Sequence, residues 1–160
     1  MEKSTDKIKT ASEARKKVAA WKSKGERVVF TNGCFDILHL GHVDYLEKAR
    51  NLGDRLIVGL NTDASVSRFK GAGRPIQDEK SRARVISSLQ FVDMVVLFDE
   101  DTPKELISAL VPDVLVKGSD YLAENIVGAD VVKNAGGEVK TIDFVTGYST
   151  SKVIEKIKKT

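Results

Sequence analysis

The sequence predicts an α/β fold: a doubly wound, five-stranded parallel sheet with helices on both faces. Three observations carry this expectation. Five short apolar runs alternate with stretches of helical spacing. The runs are continuously apolar rather than alternating, the pattern of strands covered on both sides. Glycine, proline or a capping residue punctuates most of the junctions. The 160 residues suit one domain, since domains usually run roughly 100–200 residues. Residues 1–10 read as an N-terminal arm and 11–160 as the domain.

Thr10 and Glu13 fit a capping box, so 11–24 reads as a helix with Val18, Ala19 and Trp21 available to pack, ended by Gly25. Residues 27–30 form the first strand. Val43, Leu46, Ala49 and Leu52 give 41–52 helical spacing up to Gly53. The second strand is 55–61. Gly71, Gly73 and Pro75 make 62–77 a loop after a short turn, and 78–89 reads as helix. The third strand is 94–98. Thr102 before Pro103 starts a helix over 103–110, which Pro112 stops. The fourth strand is 114–117, and 124–135 is helical before Gly136-Gly137. The fifth strand is 139–144, and Ser149 or Thr150 caps a last helix to about 158. This order is Rossmann-like. Such sheets bind ligands beyond the carboxyl ends of their strands, which singles out the loops 31–42, 61–76, 117–121 and 145–151.

Composition narrows the function classes. Hydrophobic residues make up 41% and charged residues 31%, a globular balance rather than a disordered one. No apolar run approaches the roughly 20 residues that span a bilayer, and MEKSTDKIKT has no apolar stretch, so neither a membrane nor a secretory signal is expected. Cys34 is the only cysteine, which excludes an internal disulfide and a multi-cysteine zinc site and suits a reducing cytoplasm. Net charge is +3. Residues 1–24 carry eight Lys/Arg against three Asp/Glu, and 152–160 four Lys against Glu155, so the middle is acidic. That distribution reads as solvated terminal helices, not as the basic stripe of a nucleic-acid groove.

The sharpest signal is the loop Thr31-Asn32-Gly33-Cys34-Phe35-Asp36-Ile37-Leu38-His39-Leu40-Gly41-His42. It follows the first core strand and opens a helix. His39 and His42 are the only histidines, and their spacing puts both rings on one face of a first helical turn. Gly41 removes a side chain where phosphate could approach the backbone, and a helix N-terminus favours anions. Two imidazoles can donate to phosphate oxygens as charge builds there. A zinc pair and a pair of structural histidines are the competing readings. Against zinc, helical ligand pairs more often lie four residues apart, and no Glu follows His39. There is no Walker A loop, and Gly71-Ala72-Gly73 does not fit a dinucleotide fingerprint.

Thr-x-Gly-x-Phe-Asp-x-x-His-x-Gly-His resembles the HxGH nucleotidyltransferase superfamily. TNGCFDILHLGHVDYL, LGDRLIVGLNTD, KGAGRP, EDTP, LVKGSDY, NAGGEV and GYSTSKVIEKI together resemble the adenylyltransferases of ADP-heptose synthesis over about 11–158. Those occur alone or fused to a sugar kinase, and this chain resembles the stand-alone form. The resemblance implies ATP and D-glycero-β-D-manno-heptose 1-phosphate as substrates, ADP-heptose and pyrophosphate as products, and Mg²⁺ bound mainly through the ATP phosphates. It implies a role in lipopolysaccharide inner-core or related heptose glycan synthesis, a homo-oligomer such as a dimer, and functional pairing with a separate heptose kinase.

By position, the resemblance makes Thr31, His39, His42 and Lys70 catalytic. Asn32, Gly33, Cys34, Phe35, Gly41 and Asn61 would line the nucleotide, with Arg74 of KGAGRP and Tyr148, Ser149 and Thr150 at the last helix. Asp36, Arg82, Lys117, Gly118 and Asp120 would meet the acceptor. Simpler readings stand beside these: an Asx or loop turn for Asp36 and Asp120, a surface ion pair for Arg82, N-capping for Ser149 and Thr150, a mobile surface loop for Lys70 and Arg74, and apolar packing for Cys34. Relatives that use CTP often carry Arg three positions before the Gly of the last motif, where this chain has Phe144. Three rival functions remain at this stage: a cytidylyltransferase for glycerol or aminoalcohol phosphates, a non-catalytic nucleotide-binding partner of a kinase, and a fragment of a class I tRNA synthetase.

Overall fold

The computed structural model describes all residues 1–160. Its centre is one parallel sheet in the order β1-β4-β3-β2-β5-β6. The four inner strands are β2 (Val28–Gly33), β3 (Arg55–Asn61), β4 (Met94–Phe98) and β5 (Val114–Gly118). They are the expected apolar runs, and their side chains alternate between two cores. Val28, Phe30, Ile57, Met94, Val96 and Leu115 point to one face; Val29, Leu56, Val58, Leu60, Val95 and Val116 point to the other. Burial on both faces explains why Val28–Phe30, Leu56–Leu60, Met94–Phe98 and Val114–Val116 are unbroken by polar residues.

The first core is closed by α1 (Ala11–Ser23), α5 (Lys104–Leu110) and α6 (Ala129–Asn134), through Ala14, Val18, Trp21, Ile107 and Val132. The second is closed by α2 (Leu40–Arg50) and α4 (Glu79–Ser87), through Tyr45, Leu46, Ala49, Ala83 and Ile86. Helices on both faces of a parallel sheet are the expected class. The Thr10–Glu13 capping box at α1 forms in both directions. Ser149 caps α7 (Thr150–Lys158), accepting from the Lys152 amide.

The sheet has six strands, not five. The extra one is β1 (Ile8–Lys9), which follows a 3₁₀ turn at Ser4–Lys7 and pairs with β4. It comes from the segment expected to be an arm. Lys7 fastens it by donating to the carbonyls of Leu89 and Val92. Two residues carry no periodicity, so this strand left no sequence signal. The segment 62–77 also differs from expectation, because it opens with a helix, α3 (Asp63–Lys70), capped by Thr62. The fifth expected strand is β6 (Glu138–Ile142), two residues shorter at its end. The stretch 124–135 is a 3₁₀ turn at Ala123–Asn125 followed by α6.

From β2 the sheet runs outward through β3 and β4 on one side and through β5 and β6 on the other. The strand order therefore reverses between β2 and β5. A crevice beyond the carboxyl ends is expected there.

Candidate active site

A cleft opens at that switch point, and it has two lobes. The first, about 420 Å³, is lined by both histidines, Lys70, Lys117 and the start of α7. The second, about 630 Å³, lies toward α3 and the β4–α5 connection. Six residues border both lobes: Asn32, Gly33, Cys34, Lys70, Lys117 and Tyr121. The two lobes thus share one wall, and that wall carries two lysines.

The histidine pair is on one face of the α2 N-terminus, as its spacing implies. His39 is the N-cap, and its Nδ1 accepts from the Gly41 amide at 3.1 Å. That bond leaves the proton of the neutral ring on Nε2. The His42 ring stacks on His39 with centroids 3.7 Å apart and meets Phe35 edge-on. Burial lowers both pKa values; for His42, His39 and Lys70 lower it further, to about 4. Both rings are therefore neutral hydrogen-bonding groups at pH 7 in the free protein. The His42 Nδ1 is buried with no partner. Gly41 serves differently from the sequence reading. Its amide is already taken by His39, and a Cβ there would stand 2.9 Å from the His39 ring. The glycine makes room for the imidazole.

Several expected ligand residues instead hold the loop. Thr31 is fully buried. Its hydroxyl donates to the Val116 carbonyl at 2.9 Å and pairs with the Tyr45 hydroxyl at 2.8 Å. In the free protein its one proton is therefore engaged within the fold, on Val116, rather than directed into the cleft. Arg82 is the largest fully buried side chain. Its guanidinium donates to the carbonyls of Gln77, Cys34 and Asn61 at 2.9–3.0 Å and to the Asp63 carboxylate at 2.8 Å. It borders neither lobe, and its full burial rules out a surface ion pair.

Asp36 is 1% exposed and accepts from the amides of Ile76 and Gln77 and from Arg74 Nε. Burial alone would raise its pKa; those amides and Arg74 outweigh it and hold the carboxyl low. Its carboxylate anchors the 74–77 segment, and the residue also lines the first lobe. Its carbonyl accepts from the Thr150 hydroxyl at 2.6 Å, tying in α7. Together, Asp36 and Arg82 bind the four expected ligand-loop regions except 117–121. What they hold is strained: Phe35 and Ile37 take left-handed φ values of 46° and 50°. Such bulky residues persist there only when the surroundings over-determine them.

Other expectations place as follows. Gly33, Asn32, Cys34, Phe35, Gly41, Tyr148, Ser149 and Thr150 do line the first lobe. Lys70 is exposed, without an ion-pair partner, and borders both lobes. Arg74 lines the first lobe with its Nε on Asp36. Lys117 donates weakly to the Asn32 carbonyl at 3.5 Å and lies 5.2 Å from the Tyr121 ring centre. Burial lowers its pKa, and Asp120 opposes that. Gly118 lies against Phe144, whose ring a Cβ would strike at 2.1 Å. Burial raises the Cys34 pKa, so the thiol stays protonated and packs. Asn61 borders the second lobe rather than the first, with its amide on Ser65. Asp120 is exposed and borders neither lobe; it acts on Lys117 only through its charge.

The sequence reading named Phe35 and Tyr148 but missed several other lining residues. All three tyrosines of the chain, Tyr45, Tyr121 and Tyr148, line the first lobe with Phe35 and Phe144. Phe144 stacks on Tyr45 at 5.7 Å and remains 54% exposed. Phe144, Tyr121 and Tyr148, each about half exposed, suit a flat ligand such as a nucleobase. Ser151 also lines it. In the second lobe Arg68, Phe69, Asp101, Thr102, Asn125 and Val127 were unassigned.

Residues 30–156 match the family described as cytidylyltransferase-like. The chain belongs to that family. Among curated relatives, it is 61% identical over 139 residues to the bifunctional protein HldE of Azorhizobium caulinodans, covering 87% of this chain and 29% of that protein. It is 54% identical over 153 residues to the bifunctional protein HldE of Magnetococcus marinus, covering 96% and 31%. The chain therefore spans less than a third of the length of these relatives. A crystal structure of the lipopolysaccharide core biosynthesis protein from Thermoplasma volcanium is similar with TM-score 0.61 and 34% identity, over 78% of this chain and all of that one. Pantothenate synthetase from Thermus thermophilus, with TM-score 0.62 and 17% identity over 96% of this chain and 70% of that one, shares the fold. No helix is long and apolar enough to cross a membrane.

Proposed function

We propose that this domain transfers AMP from ATP to D-glycero-β-D-manno-heptose 1-phosphate, releasing pyrophosphate. The observation that carries the reading is the shared wall. Two lobes, each large enough for one substrate, meet at Lys70 and Lys117, with the stacked histidines on the first. That arrangement suits two anions brought together at one phosphorus. The adenine belongs among the aromatic rings of the first lobe, and the acceptor in the second. Membership in the cytidylyltransferase-like family supports the reaction type. The LVKGSDY and NAGGEV segments support the heptose branch. Relatives named bifunctional fit an acceptor supplied by a heptose kinase.

A sugar phosphate has a second pKa near 6 and is already an anion at pH 7, so no protein base is needed. The work left to the protein is alignment and charge stabilisation. His39 can present Nε2–H to a phosphate oxygen because Gly41 holds its other nitrogen. A neutral imidazole donates without repelling the lysines. Lys70, exposed at the end of α3, can reach the phosphates from either lobe. Lys117 is held at the end of β5 for the acceptor phosphate. A buried ammonium is costly unless an anion meets it.

No group of three or more His, Cys, Asp or Glu side chains is placed to hold a metal. Mg²⁺ prefers phosphate oxygens and water and needs few protein ligands, so it would arrive with ATP. Excess EDTA is expected to abolish pyrophosphate release and added Mg²⁺ to restore it. Full activity in EDTA would contradict this.

Lys117→Met tests the placement of the substrates. It is expected to raise the acceptor KM at least about tenfold, as loss of a charge-assisted contact does, while ATP affinity by calorimetry changes little. Lost ATP affinity with an unchanged acceptor KM would put Lys117 on the other substrate.

A further inference from the structure

We infer that Asn61, Thr102 and Asn125 form a hydroxyl-reading end of the second lobe, which selects a polyhydroxylated ring phosphate over small alcohol or aminoalcohol phosphates. This rests on the transferase reading above. The residues come from three distant segments. Asn61 ends β3, Thr102 lies in the β4–α5 connection, and Asn125 closes the 3₁₀ turn before α6. None of them is among the residues that the motifs assign to the acceptor.

The charges in the lobe are unevenly placed. Its free cations, Lys70 and Lys117, stand on the wall shared with the nucleotide lobe. The third, Arg68, is occupied by Asp101 at 3.1 Å and by Asp99 at 3.6 Å. An acceptor phosphate therefore belongs at the shared wall, and the rest of the molecule points away from it. Away from that wall, the polar groups without a charged partner are neutral. The Asn125 carboxamide and the Thr102 hydroxyl are exposed, and no protein group bonds them. The Asn61 carboxamide is 5% exposed and oriented by its bond to Ser65 at 3.0 Å. Its oxygen accepts from the Cys34 thiol at 4.0 Å and keeps a second lone pair. Phe69, 57% exposed, and Val127, 40% exposed, border the same space.

Amide and hydroxyl groups beside an aromatic face match a sugar ring, whose rim is hydroxyls and whose face is C–H. A short alcohol phosphate lacks the ring hydroxyls that these groups would bond. An aminoalcohol phosphate would want a free carboxylate, but Asp101 is already paired with Arg68. A site built to bond hydroxyl groups discriminates strongly against analogues that lack them, since its polar groups are then left unpaired.

Asn125→Ala is the test, because Asn125 is exposed and its side chain holds nothing in the fold. Pyrophosphate release is measured with D-glycero-β-D-manno-heptose 1-phosphate and with glycerol 3-phosphate, and ATP affinity by calorimetry. The expected result is a rise of about tenfold in KM for the heptose phosphate, the usual scale for one hydrogen bond. Glycerol phosphate use and ATP affinity stay within about twofold, so the selectivity ratio falls about tenfold. Thr102→Val is expected to lower the ratio in the same direction. An unchanged ratio in both variants, with an active wild type, overturns this inference alone. A wild type that uses glycerol phosphate and not the heptose phosphate overturns the transferase reading and this inference with it.

Discussion

His42→Ala is expected to lower turnover about 100- to 1,000-fold, the scale for losing one donor to transition-state charge, while the protein stays folded. The structure separates the two effects. The His42 Nδ1 is buried without a partner, so its removal breaks no side-chain hydrogen bond. His39→Ala should cost similar activity. It should also cost about 1 kcal/mol of stability, because its ring caps the Gly41 amide. Circular dichroism and steady-state pyrophosphate release distinguish the outcomes; near-normal turnover in either variant would remove that ring from the chemistry. The same residue makes a pH prediction. His42 binds a proton near pH 6.5 when unfolded but only near 4 when folded. The unfolded state then holds more protons between these values, so stability falls as pH drops from about 6.5 to about 4. His42→Ala should flatten that part of the profile.

Arg82→Ala is expected to be the most destabilising single change in the site. It removes the donor shared by three backbone carbonyls and leaves the Asp63 carboxylate unpaired. Asp63 is 41% exposed and can be solvated, but each buried carbonyl left without its donor costs about 1–3 kcal/mol, together a large part of the roughly 5–15 kcal/mol that holds a typical domain. Arg82→Lys should recover little of it, since one ammonium cannot span the acceptors that a planar fork reaches. The check is the urea midpoint of each variant. A stable, folded Arg82→Ala with only a raised acceptor KM would restore Arg82 as a substrate ligand and contradict its role as the clamp of the strained 34–37 loop.

Arg82, Thr31 and Asp36 show where sequence reasoning ran out. Each is the right residue type for a phosphate or sugar ligand, in a motif beside the right strand. Backbone carbonyls and amides use the same chemistry as those ligands, so residue type cannot separate a ligand contact from a loop tie. Burial shows what the residue types could not: all three side chains are buried and bonded within the fold, Asp36 at the edge of the first lobe. His39 and His42 were readable because their spacing on a helix start fixes their mutual geometry. The inner strands were readable because burial on both faces leaves an unbroken apolar run. β1 was not, since two residues form no pattern. Helix α3 was hidden behind Gly71, Gly73 and Pro75, although Thr62 and Asp63 supplied a start signal. The second lobe was hidden because β3, the β4–α5 connection and the turn before α6 meet only in the folded chain.

The central claim is that the two lobes hold ATP and a sugar 1-phosphate and join them at the shared wall. A pyrophosphate-release matrix tests it most directly: ATP, CTP, GTP and UTP, each crossed with D-glycero-β-D-manno-heptose 1-phosphate, glycerol 3-phosphate and phosphocholine. The account predicts release with ATP and the heptose phosphate well above every other pair. Release led by CTP with glycerol 3-phosphate or phosphocholine, or no release with any pair, would contradict it.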